Sequence, residues 1–149
     1  MAERGPYHLD DPTTSVTAVV EGVLLASLVS ALRGGYEQDA RTLAGFAGEL
    51  LVLGILSCDD VQDIVTSLFE YVSGNSSMHC VVLCHMLRRI VISTEASHLI
   101  NSLSLVPRIE AVLEEDTISL QVRYMMTASI SCLKQRIDGL KRNLLDRLC

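Results

Sequence analysis

Ala40 to Leu56 read ARTLAGFAGELLVLGIL, and the spacing of the apolar positions in this stretch decides the fold class. Leu43, Phe46, Ala47, Leu50 and Leu53 fall mostly three or four residues apart, and Leu51 and Ile55 widen the same side. That period predicts a helix whose apolar face must be covered by other helices. Gly54, which has no Cβ, predicts a loosened last turn and a change of chain direction.

Upstream, residues 1–14 contain Gly5, Pro6 and Pro12 without an apolar period, which predicts a mobile arm. Thr14 or Ser15 then caps a first helix over Ser15 to Leu32, carried by Val16, Val19, Val20, Val23, Leu24 and Leu28 and stopped by Gly34-Gly35. Glu21 is its only charge, yet its serines and threonines dilute its hydrophobicity and Asp10 and Asp11 precede it. A buried core helix is therefore expected, and not a membrane span or a targeting signal. The central helix begins near Glu37, where Glu37 and Asp39 suit the positive end of the helix dipole.

Downstream, Ser57 or Cys58 starts a third helix with Asp59, Asp60 and Asp63 in its first turns, and Ser73-Gly74-Asn75 stops it. A fourth helix covers Ser76 to Ile92. A fifth covers Ala96 to Glu115, with Pro107 predicting a kink or split near Val106. A sixth covers Ile118 to Arg136, and Gly139 separates it from a short basic tail helix over residues 138–149. Short connections between such helices, with hairpins recurring near 40 residues, predict one all-α domain over residues 15–137. Its architecture is about three antiparallel hairpins stacked as a HEAT-like right-handed array, with a short C-terminal helix beyond it.

A chain of 149 residues that is 49% hydrophobic can bury a continuous core, and two Phe, four Tyr and no Trp make that core aliphatic. The formal charge of −6 argues against nucleic-acid binding through the overall field. Positive charge concentrates at Arg88 and Arg89 and at Lys134, Arg136, Lys141, Arg142 and Arg147, the candidate partner-binding residues; RNA contact there is the weaker reading. Leu140, Leu144, Leu145 and Leu148 give the tail an apolar stripe. Five cysteines, Cys58, Cys80, Cys84, Cys132 and Cys149, with no secretory leader before them, read as reduced thiols of an intracellular protein, cytoplasmic or nuclear.

His79-Cys80 and Cys84-His85 are the nearest approach to a chemical cluster. Adjacent His and Cys point about 100° apart on a helix, so zinc ligation is not expected, and no cleft with an oxyanion site is evident for a Cys-His nucleophile. Asp59, Asp60 and Asp63, and Glu110, Glu114, Glu115 and Asp116, read as solvated helix-end and helix-face charge. The expectation is a protein-interaction module without catalysis, metal, cofactor or small-molecule substrate.

Phe46-Ala47-Gly48-Glu49-Leu50, followed by Leu53-Gly54-Ile55-Leu56, and later Val122-Arg123-Tyr124-Met125, resemble two marks of the middle domain of eukaryotic initiation factor four-G. The likeness is to the second half of that HEAT-repeat domain, over Gln38 to Gln135, and Gln121 stands where a further arginine is common. The resemblance implies a scaffold in translation or RNA metabolism whose partner is a DEAD-box RNA helicase or another ribonucleoprotein component. A structural adaptor subunit unrelated to helicases is the alternative. Because Glu49 and Arg123 lie beside apolar faces where an unpaired charge is costly, the two are expected to pair.

Overall fold

A computed structural model describes residues 12–93 and 96–148, with side chains over residues 16–93 and 96–139. The chain is all-α: the described residues form α1 (Pro12–Gly34), α2 (Glu37–Val52), α3 (Cys58–Ser73), α4 (Ser77–Ile92), α5 (Ala96–Ser102), α6 (Leu105–Leu113) and α7 (Leu120–Leu148). Most of the expected arm lies outside the described residues. Its last residues belong to α1, which opens on Pro12 because the first turn of a helix needs no proline N–H.

Local chemistry sets the helix ends. Ser57 and Asp60 form a reciprocal capping box at the start of α3, with Ser57 N donating to the Asp60 carboxylate at 2.8 Å. At the end of α2, Ile55 N bonds to Leu50 O and Gly54 N to Leu51 O, a closure that needs the positive φ of 79° that Gly54 adopts without strain. The helix thus stops at Val52, and Leu53 to Leu56 form the turn. Asn75 takes the same left-handed role after α3, and its Oδ1 accepts from Ser119 N at 2.7 Å, tying that turn to the approach of α7.

Helix α4 is central: α2 packs on it most extensively, α3 and α7 also pack on it, and α1 packs on α2 and α6 on α7. The core runs through Leu28, Leu68, Leu83, Met86, Ile90, Ile100, Leu103, Ile109, Met126 and Leu133. No polar or charged side chain is buried among the described residues.

Four expectations are corrected. In α2 the buried stripe is Ala40, Ala44, Ala47, Gly48, Leu50 and Leu51, whereas Phe46 and Leu53 face outward. Small residues let α2 approach α4 closely, so the bulky ones turn away. The first helix is not buried along its length. Leu24, Leu28 and Ala31 are seated, but Val16, Val19 and Val23 are each more than 60% exposed. The stretch Val16–Gly34 has the length and composition to cross a membrane, and only 17% of its most apolar window is buried.

The fifth helix splits as expected, but at Leu103-Ser104 and not near Val106, because Pro107 fits the first turn of α6. Finally, Gly139 does not separate a tail helix: α7 runs without a break to Leu148, since one interior glycine costs only about 1 kcal/mol.

Candidate docking face

The outward side of α4 carries His85, Arg88, Arg89 and Ile92, which recur one turn apart and form a single ridge. A groove of about 400 Å³ runs on one side, against α2, lined by Arg41, Phe46, Glu49, His85 and Arg89. A cleft of about 350 Å³ runs on the other side, against α7, where Arg88, Ile92, Tyr124 and Met125 meet. Three large apolar or aromatic side chains stand out along this face: Phe46 is 49% exposed, Ile92 69% and Tyr124 76%. Guanidinium groups and exposed apolar surface are thus interleaved on one side of an acidic protein, a combination enriched at protein interfaces.

Hydrogen bonds order part of the face. Arg41 Nε donates to His85 Nε2 at 3.0 Å, so that ring is neutral there, and Arg89 pairs with Glu49 at 3.3 Å in an exposed ion pair. Arg88 has no hydrogen-bond or ion-pair partner among the described residues. Burial, together with the Arg41, Arg88 and Arg89 charges, holds His85 below the usual histidine range. Burial does the same to His79, which accepts or donates with Ser76 at 2.7 Å and stacks on Tyr71 with ring centroids 4.2 Å apart.

Both histidines bind a proton more readily in the unfolded chain, so their contribution to stability is present above pH 6.5 and is lost as pH falls through the lower folded values. The thermal midpoint is accordingly expected to fall between pH 7.5 and pH 5.5, and to fall less in His85→Gln. An equal fall in both proteins, followed by circular dichroism, would remove His85 from this account.

The residues singled out from sequence have different places in the structure. Gly48 and Leu50 serve packing, since a Cβ at Gly48 would lie 2.9 Å from Met86 O and Leu50 is buried, while half-buried Met125 packs against the core and also lines the α4–α7 cleft. Phe46, Glu49, Tyr124, Arg88 and Arg89 lie on the α4 face. The expected Glu49–Arg123 pair does not form. Glu49 meets Arg89, and Arg123 donates to Leu113 O and Glu115 O, both at 2.8 Å. These carbonyls close the end of α6, which has no helical donors left for them, so the guanidinium is drawn there.

Of the remaining cations, Lys134 pairs with Glu110 at 3.4 Å, and Arg136 donates twice to Ser93 O at 3.2 and 2.7 Å beyond the end of α4. Both thus have structural partners. The side chains of Lys141, Arg142 and Arg147, and of the tail leucines, lie outside the described residues, as does Cys149.

Arg41 and Ile92 are not legible as site residues, and His85 is legible only as a neighbour of Cys84, since only the packing of α2 on α4 brings Arg41 to His85. Cys58, Cys80, Cys84 and Cys132 are free thiols. Among the described residues no three His, Cys, Asp or Glu side chains converge as metal ligands would. Comparison with protein families, with curated proteins and with solved structures gave no match.

Proposed function

We propose that this chain is a non-catalytic docking scaffold in translation or RNA metabolism, built of HEAT-like helical hairpins, that receives its protein partner on the α4 ridge. The partner is a DEAD-box RNA helicase or another ribonucleoprotein component, as the motif resemblance implies. One observation carries the docking face: Arg88 and Arg89 project between exposed Phe46 and Tyr124 while the chain as a whole has a charge of −6. A partner with acidic side chains around an apolar centre complements that arrangement. The exposed valines of α1 favour a second reading, a structural adaptor subunit of a larger complex unrelated to helicases.

The test is the RNA-stimulated ATPase rate of purified DEAD-box helicases, titrated with the wild-type chain and with Arg88→Glu/Arg89→Glu. Wild type is expected to change the rate of at least one helicase, and the double variant to need about tenfold more protein for the same effect, on the order of 1.4 kcal/mol. Its thermal midpoint should stay within a few degrees of wild type, because the Arg89–Glu49 pair is exposed and such pairs contribute about 0–1 kcal/mol. If no helicase responds, the adaptor reading takes its place; if the variant titrates like wild type, the ridge is not the contact face.

A further inference from the structure

Two cysteines, Cys84 and Cys132, line the α4–α7 cleft, and docking uses neither. Cys84 is half-buried in its wall, with its Sγ 3.4 Å from Ser129 Oγ on α7, and the buried Cys80 lies one turn earlier on α4. Leu87, Val91, Ile92, Met125 and Ala128 give the cleft an apolar lining, and Arg88 and Tyr124 also line it. Cys132 lines the same cleft but is exposed. A volume of about 350 Å³ falls within the range of small-molecule sites.

We propose that this cleft is a covalent binding site for an apolar α,β-unsaturated carbonyl compound, with Cys84 as the nucleophile. The inference is independent of the docking reading. A soft thiolate attacks the β-carbon of such a compound in preference to its carbonyl carbon, the apolar wall accepts the alkyl chain, and Arg88 offers N–H donors to the carbonyl oxygen.

The thiol proton of Cys84 leaves to solvent, and a sulfur lone pair forms the C–S bond at the β-carbon. The C=C π pair moves toward the carbonyl as an enolate, and the α-carbon takes a proton from water. The net change adds S–H across C=C, so nothing is oxidised or reduced. The neighbouring Cys80 thiol first, and then Ser129 and the Arg88 charge, hold Cys84 below the ordinary thiol range against burial, which acts in the opposite direction, while Cys80 is pushed up.

The experiment treats the folded full chain with trans-2-nonenal or with acrolein and follows adducts on Cys84 and Cys132 by peptide mass spectrometry. Simple accessibility favours Cys132, so the comparison within one molecule needs no variant. Cys84 is expected to react about tenfold faster than Cys132 with nonenal, by a smaller ratio with acrolein, and at an equal rate in urea. Ser129→Ala is expected to slow Cys84 and leave Cys132 unchanged. The proposal is overturned if Cys132 reacts at least as fast as Cys84 in the folded chain, or if the ratio does not rise with chain length.

Discussion

Gly48→Val is expected to lower the stability of the chain by about 3 kcal/mol, the upper part of the usual overpacking range. A Cβ at Gly48 would lie 2.9 Å from Met86 O and 3.0 Å from Arg89 Cβ, and both atoms belong to the central helix. A backbone carbonyl inside α4 cannot swing aside as the end of a lysine can. The added methyls would therefore push α2 off α4 along the most extensive helix contact in the molecule. Valine's better helix propensity returns only about 0.5 kcal/mol. For a chain of this length the thermal midpoint should drop by roughly 10 °C. Phe46→Val, two residues earlier and facing outward, should melt within a degree or two of wild type. The close α2–α4 approach would be refuted by a Gly48→Val protein that melts with wild type.

Arg123→Ala is expected to cost about 2 kcal/mol, because it removes two charge-assisted hydrogen bonds from the end of α6. Both run to carbonyl oxygens at 2.8 Å, on Leu113 and Glu115, and they hold the start of α7 against the segment that precedes it. Arg123→Lys should recover only part of the loss, since one ammonium cannot reach both oxygens in the fork geometry of guanidinium. Glu49→Ala should change stability little, and a double-mutant cycle between Glu49 and Arg123 should give coupling near zero, because the two side chains have separate partners. Measured coupling of 1 kcal/mol or more would restore the pairing that the sequence alone suggests.

How far a sequence reveals this fold depends on the range of the interaction that sets each feature. The start of α3 is legible because its signals are local, Asp59, Asp60 and Asp63 in the first turns, while the reciprocal Ser57–Asp60 cap that fixes it is a finding of the structure. The ends at Gly35, Gly54 and Asn75 were legible for the same reason, since the left-handed backbone is a local matter. Periodicity weighs bulk and so places Phe46 and Leu53 inward, whereas the packing of α2 buries the small residues Ala44, Ala47 and Gly48. Arg123 stands out within its motif, but its partners are carbonyl oxygens, which a pattern of charged letters does not display.

The candidate site divides in the same way. Arg88 and Arg89 stand out in the sequence as neighbouring charges, and Tyr124 belongs to one of the two motifs. Their assembly with Arg41, Phe46 and His85 depends on α4 lying between α2 and α7. The cleft around Cys84 is likewise tertiary, because Ser129 is 45 residues away along the chain.

The docking claim is tested most directly by amide hydrogen exchange of the chain with and without a purified DEAD-box helicase that responds to it. Docking on the α4 ridge predicts added protection in peptides covering the second half of α4, the Arg41 to Glu49 stretch of α2 and the start of α7, with α1 unchanged. Protection confined to α1, or none on α4 at saturating helicase, would contradict it.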